Sequence, residues 1–308
     1  MSKVLNPTSQ IYFYPSVSSV SKNILTPIQH IEILISINHN KFLISAYDLF
    51  HAEDEHHEKL KGLFFKAKEQ EQIIMMDSGI YEKTWRIDTS WKREDYNKIC
   101  EKYNFNYTFN YDEYNRNDSK EMIIKTIIQN LERNNKCPII HSSNPEDLPE
   151  ICFEISKTLT PDLIAIPERE LGNGIYEGLK TMNNIRKRLN ELSNYQRIHI
   201  LGTGNPLSIL AYCLMGADSF DGLDWCQTVA DYETATLHHT QHYSFYAHQS
   251  QFGQFDDMDF FIKLFAHNLY FYEEFLNKIN ESVRENSLEN LAQKYLPNNA
   301  YSVIQKLL

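Results

Sequence analysis

Glycine and proline are scarce, with 10 of each in 308 residues. A chain so poor in both is not a low-complexity or disordered one. Its 42% hydrophobic and 13% aromatic content is enough for a sizeable core. Cysteine is sparse too. Cys100, Cys137, Cys152, Cys213 and Cys226 are odd in number, widely spaced and free of any CxxC pair. That excludes a disulfide frame and fits reduced thiols of the cytosol. No apolar run approaches the roughly 20 residues of a membrane span. The opening "MSKVLNPTSQ" has no apolar core of the kind a signal peptide carries. The expectation is a soluble, cytoplasmic protein with no membrane partner. Basic residues are in deficit, 30 Lys and Arg against 41 Asp and Glu, for a net charge of −11. A nucleic-acid binder is usually basic somewhere. An acidic one must gather its cations on one face, borrow a basic protein partner, or bind something else.

What the chain does have is a recurring unit. A short apolar run ends in a polar residue and a helical stretch follows. "KFLISAYD" ends at Asp48, "QIIMMDSG" at Asp77, "YTFNYDEY" at Asp112, "CPIIHSS" at His141, "DLIAIPERE" near Glu168, "RIHILGTG" at Gly202 and "DSFDGLD" at Asp221. "IYFYP", residues 11 to 15, is a further candidate strand. Between them, "SKEMIIKTIIQNLERNN", "NPEDLPEICFEISKTL" and "GLKTMNNIRKRLNEL" carry apolar residues at helical spacing, and "NPLSILAYCLMGA" begins with Pro206 in a first turn. Continuously apolar strands alternating with helices are buried parallel strands. Seven or eight such units predict a (β/α)8 TIM barrel, read as one domain over residues 1–308, with a helical C-terminal part from about residue 255. The aromatic stripe of "DFFIKLFAHNLYFYEEFLNKI" has the spacing of a buried helix face.

Singly, Asp77 reads as a turn residue, as do Asp218, Asp221 and Asp224 in "ADSFDGLDW". Two carboxylates at the tips of different barrel strands point into one cleft. There one serves as nucleophile and the other as general acid or base, if their surroundings split their pKa values.

Four stretches, in order, resemble the tRNA-guanine transglycosylase superfamily. "MDSGIYE" is similar to its TDSGG-aromatic-Gln motif and "FNYDEY" to its FDE motif. "HILGTGNPLSILAYCLMGADSFDGLDW" resembles its LMGVG-x-P segment and the GxDxFDC that follows. "HNLYFYEEFLNKI" resembles its C-terminal HNL helix. The resemblance covers residues 73 to 281. It implies a base exchange at a glycosidic bond. Asp221 matches the nucleophile that attacks C1′ and Asp77 the general acid/base. Ser78, Gly79 and Gly202 fall among the base-site residues, Tyr81 matches the stacking aromatic, and Asp112 the carboxylate that reads the purine's N–H edge. A carboxylate nucleophile suits an oxocarbenium-like transition state. A departing purine needs a proton donor. A buried acceptor such as Asp112 rejects a base that lacks the donors.

Departures from the family point to a reshaped base pocket. Ile80 and Glu82 replace its glycine and glutamine, and His141 stands in for an amide. "IPERELG" offers Glu168 and Glu170 to the base or its 7-substituent, unless one of them pairs with Arg169. The basic segment after the nucleophile, with which the family grips tRNA, is missing. No Lys or Arg lies between 222 and 240, and such residues supply most nucleic-acid affinity. Of the remaining basic runs, "WKRE" and "RKR" at 186–188, the second reads as a solvated helix face. The zinc-binding cysteines are missing too. His267 holds the place of the family's zinc histidine, and His238, His239 and His242 of "HHTQH" lie about where the cysteines would be, either as a histidine-rich zinc site or as a polar surface stretch. "HAEDEHHEKLK" at 51–61 reads as an exposed helix start.

The expected activity is that of the relatives that insert 7-deazaguanines into DNA. Guanine is replaced by a base such as 7-cyano-7-deazaguanine through a covalent Asp221-glycosyl intermediate. No redox or nucleotide cofactor is needed, and a protein partner would supply basic surface. The alternatives are the same exchange on tRNA in a queuosine-type pathway, a non-catalytic nucleic-acid-binding subunit, and a metal-dependent barrel hydrolase.

Overall fold

Parallel strands form the centre of the molecule. The computed structural model describes residues 10–21, 25–52, 54–131 and 136–308. Seven strands make one curled sheet: β1 (Tyr12–Val17), β2 (Lys41–Ser45), β3 (Ile73–Asp77), β4 (Tyr107–Thr108), β5 (Ile164–Pro167), β6 (Ile198–Leu201) and β7 (Ser219–Gly222). Their order is β4-β3-β2-β1-β7-β6-β5, and every pairing is parallel.

The run "CPIIHSS" lies between the edge strands β4 and β5. Cys137 bridges Phe109, and Ile139 bridges Ala165, both in parallel sense. On one side the Cys137 N–H donates to the Thr108 carbonyl at 2.9 Å. On the other, the Ala165 N–H donates to the Pro138 carbonyl at 2.8 Å. Pro138 has no N–H to add to a ladder. The Ile139 N–H turns instead to the Asn110 side chain, 2.7 Å away. That is why this segment makes bridges rather than a regular strand.

Side chains of the strands alternate between two cores. Phe13, Phe42, Ile44, Ile74, Met76, Ile164, Ile166, Ile198, Ile200 and Phe220 pack with the helices in the main core. Tyr14, Leu43, Met75, Phe109, Cys137, Ile139 and Ala165 form a second buried cluster on the other face. Both faces of each strand are therefore covered, as parallel strands require.

The four helical stretches read from spacing appear as Lys120–Leu131, Leu148–Leu159, Ile175–Leu189 and Pro206–Leu214. The last starts at its proline, and the Asn205 side chain accepts from the Leu207 and Ser208 N–H groups, capping the orphan donors of the first turn. The C-terminal part forms helices Phe260–Arg284, Leu288–Tyr295 and Asn298–Ile304. Phe265, Phe271, Tyr272 and Phe275 of its aromatic stripe are buried, and Tyr272 stacks on Phe13 of β1 at 4.2 Å. No helix among the described residues is long and apolar enough to cross a membrane.

Three expectations are corrected. Asp48 is not at a strand tip. β2 stops at Ser45, and Asp48 lies in the short helix Ala46–Phe50, where it accepts the Ser19 N–H at 2.6 Å. Asp112 lies past β4, which ends at Thr108. The "RKR" run is not a solvated face throughout. Arg186 is fully buried. Its guanidinium meets Asp218 at 2.8 Å and the carbonyls of Gly216 and Gln196 at 2.7 and 2.9 Å. Asp218 is therefore this cation's partner rather than a turn residue. It also takes the Tyr195 hydroxyl at 2.6 Å and the Ile198 N–H at 2.8 Å.

Arg186→Ala would leave Asp218 buried without its countercharge, so a loss of about 3–5 kcal/mol is expected in urea unfolding. Adding Asp218→Asn should recover part of that loss, because it removes the orphaned charge.

Candidate active site

The C-terminal ends of parallel strands lie on one edge of the sheet, and a cavity of about 580 Å³ opens there. That volume is in the range of small-molecule sites. Asp77, Ser78, Tyr81, Asp112, His141, Glu168, Gly202 and Asp221 all line it. Of the residues expected at the base site, Gly79 and Glu170 stand behind the wall.

Gly79 explains how Asp77 is presented. Its φ is +75°, and a Cβ there would fall 2.5 Å from the Cβ of Tyr47. Only glycine combines that conformation with that closeness. The turn brings the Gly79 N–H to within 3.0 Å of Asp77 Oδ1, and the Trp91 indole N–H holds the Ser78 carbonyl at 3.0 Å. The chain then enters the helix Ile80–Arg86, which puts Tyr81 at the cavity mouth and Glu82 inside. Among the described residues Asp77 takes only that one donor. Burial raises its carboxyl well above the usual carboxylate range, and the charges of Glu82, Asp221 and Asp112 add to the effect.

Asp221, on β7, is held on both oxygens. The Ser16 hydroxyl donates to Oδ2 at 2.6 Å, the Gly202 N–H donates to Oδ1 at 3.0 Å, and His199 Nε2 lies 3.1 Å from Oδ1. The other ring nitrogen of His199 meets Ser219 Oγ at 2.9 Å. Asp77 and Asp221 thus share a cavity but not an environment.

The remaining carboxylates are paired in two groups. Asp112 accepts the Ser78 hydroxyl on one oxygen and meets His141 Nε2 at 2.6 Å on the other. His141 Nδ1 lies 2.7 Å from Glu170, which also takes the Ser142 N–H at 2.8 Å and Arg116 at 3.5 Å. Burial alone would lower the His141 pKa, but hydrogen bonds to Asp112 and Glu170 and their charges raise it to about 9. At neutral pH the ring is an imidazolium donating to both carboxylates. Glu170 therefore pairs with His141 and Arg116, not with Arg169, which lines the cavity. In the second group Glu82 is buried and accepts the Ser18 and Ser45 hydroxyls at 2.5 and 2.8 Å. Burial raises its carboxyl against those donors. Beside it, Asp48 is pushed up to about 7 by burial and the Glu82 charge. Glu168 and Asp224, also on the cavity wall, are raised chiefly by burial.

The histidines weighed as zinc ligands do not fit a zinc ion. His267 is buried and fully engaged, with Nδ1 at 2.9 Å from Ser250 Oγ and Nε2 at 2.8 Å from the Ala230 carbonyl. Next to it, Asn268 accepts the Ala230 N–H at 2.9 Å and donates to the Trp225 and Thr228 carbonyls at 2.8 and 2.7 Å. These two residues tie the long helix to the chain that follows β7. His238 Nε2 meets Thr236 Oγ1 at 3.0 Å, His239 accepts the Gln241 N–H at 3.2 Å, and His242 stacks on Phe245. Among the described residues no group of three or more His, Cys, Asp or Glu is placed to hold a metal.

No protein-family model and no curated protein matches the chain.

Sequence reasoning missed His199 and Ser16, which hold Asp221, and the serines that hold Glu82. One signal was present. His199 interrupts the apolar run "IHIL", and a polar residue inside a buried strand demands a partner.

His141 generates a pH prediction. Its folded pKa of about 9 lies above the ordinary 6.5, so its contribution is complete below pH 6.5 and is lost as pH rises through 9. Unfolding free energy should fall by up to about 3 kcal/mol over that window. His141→Gln, followed by urea unfolding at each pH, should flatten the decline.

Proposed function

We propose that the chain is a base-exchange transglycosylase of the tRNA-guanine transglycosylase superfamily. It replaces guanine in DNA with a 7-deazaguanine such as 7-cyano-7-deazaguanine. The observation that carries this reading is the contrast between two carboxylates facing one cavity. Asp221 is fixed by donors on both oxygens, as suits a nucleophile. Asp77, half-buried, has a single donor among the described residues and is raised well above the usual carboxylate range, as suits an acid. The 137–140 segment, hydrogen-bonded to both sheet edges, acts in this reading as the eighth strand of a closed (β/α)8 barrel.

In the first half-reaction an Asp221 oxygen attacks C1′, the bond from C1′ to the base nitrogen breaks, and the Asp77 proton goes to the departing guanine. In the second, the incoming base gives a proton to Asp77, its ring nitrogen attacks C1′, and Asp221 leaves as a carboxylate. Asp112 stays an acceptor toward the base. It gives one lone pair to Ser78 and one to His141, and a carboxylate has about four. The ion pair with His141 sets the plane of the group. Tyr81, at the mouth, supplies a ring to stack on the base.

DNA is preferred to tRNA on charge. Among the described residues the cavity lining includes a single Lys or Arg, Arg169, beside the carboxylates Asp77, Glu82, Asp112, Glu168, Asp221 and Asp224. A folded anticodon arm gripped through many phosphates calls for more cations.

The test supplies labelled 7-cyano-7-deazaguanine with single-stranded DNA, duplex DNA or tRNA and measures incorporation. Wild type should label DNA, and Asp221→Ala should label nothing. Asp77→Asn should slow the exchange by about 10²–10⁴-fold, the usual contribution of a general acid. Equal incorporation by wild type and Asp221→Ala would remove the covalent mechanism. Labelling of tRNA alone would transfer the reaction to that substrate.

A further inference from the structure

The helix that carries Tyr81 and Glu82 has a second, outward face that the exchange chemistry does not use. Trp85 is 67% exposed and Ile87 86% exposed, while Trp91 and Trp225 are wholly buried. An isolated exposed leucine is unremarkable, but a solvent-facing tryptophan beside a cavity marks a contact surface. Tyr81 and Trp85 are four residues apart on one helix, so they share a face. Their rings are inclined by only 26° with centroids 6.4 Å apart. Tyr81 lines the cavity mouth, so the aromatic strip starts at the site and runs outward along the helix.

We propose that Trp85 extends the Tyr81 ring outward as a stacking platform for the unpaired bases that flank the base held in the cavity, and that the ligand is a single strand of nucleic acid. The choice of ligand rests on the base-exchange reading. The choice of a single strand rests on charge. Lys83 on this helix is taken up by Glu113, and Arg86 by the carbonyl and hydroxyl of Ser19 at 3.1 and 2.9 Å. Among the described residues, Arg169 across the mouth is the single Lys or Arg on the cavity wall, and it makes no ion pair. A duplex held by its phosphates would find little to hold it here. An unpaired strand gains affinity by laying base faces on aromatic rings, and every base has such a face. Binding should then depend weakly on salt, with a slope of log K against log salt of about −0.7, the value for one phosphate contact to a single strand.

A guanine-free oligothymidylate tests the platform without the exchange reaction. Because Trp91 and Trp225 are buried, quenching of tryptophan fluorescence on titration reports Trp85. Wild type should be quenched by the single strand and not by a duplex of the same length. Trp85→Ala should weaken binding, read by anisotropy of labelled oligothymidylate, by about tenfold, the size of one lost base–aromatic stack. Trp85→Phe should restore most of it. Trp85 is two-thirds exposed and lies outside the core, so neither variant threatens folding. Equal oligothymidylate binding by wild type and Trp85→Ala would overturn the platform. So would a fluorescence change that follows protein concentration alone, which would assign the strip to a second copy of the chain. If base exchange fails while quenching persists, the platform stands and the proposed reaction falls. Normal exchange by Trp85→Ala with an unchanged KM for the oligonucleotide would do the reverse.

Discussion

Repulsion among buried and half-buried carboxylates is the constraint on which the rest of this molecule depends. Asp48, Asp77, Glu82, Asp112, Glu170 and Asp221 gather at one end of the sheet. An ionised carboxyl taken from water without partners is costly enough that it either finds donors or takes up a proton. Both solutions are present. Asp112 and Glu170 share the His141 imidazolium, Glu82 has two serine hydroxyls, and Asp221 has a hydroxyl, a backbone N–H and His199. Among the described residues Asp77 has one backbone N–H and several negative neighbours, so its carboxyl is raised well above the usual carboxylate range. The division between a carboxylate held on both oxygens and one raised above the usual range follows from how unevenly the donors are distributed.

The same physics operates at the opposite end of the strands. Asp218 stands just before β7 and receives Arg186, Tyr195 and the first N–H of β6. Here the partner is a full cation, so the group is structural. Charge that is fully answered holds the fold together. Charge that is incompletely answered, and open to a cavity, is available for chemistry.

Much of the fold was legible in the sequence because burial on both faces forces apolar runs, and parallel pairing forces helices between them. The strand positions and the four helical stretches followed from that alone. The candidate site was legible for a related reason. In a parallel sheet every strand delivers its C-terminal residue to the same edge, so polar residues ending apolar runs were candidates to meet. What failed were judgements about surroundings. Asp48 looked like a strand tip, but β2 turns into a helix at Ser45. Arg186 looked solvated because it sits in a basic triplet, whereas helix geometry turns it inward and leaves Lys187 exposed. His267 looked like a candidate zinc ligand, yet its ring nitrogens are committed to Ser250 and Ala230.

The sequence by itself determined that parallel strands would alternate with helices, and that Asp77, Asp112, His141, Glu168 and Asp221 would end or follow apolar runs. Periodicity and run length are local properties, and local properties survive in one dimension. Only the tertiary structure decided which carboxylate is left with few donors, that His141 rather than Arg169 answers Glu170, and that Trp85 faces water beside the cavity mouth. Each of those depends on distances between residues far apart in the chain. A difference of one hydrogen bond to a charged group, invisible in the order of residues, is worth about 1.5–3 kcal/mol, a sizeable part of a domain's margin of roughly 5–15 kcal/mol.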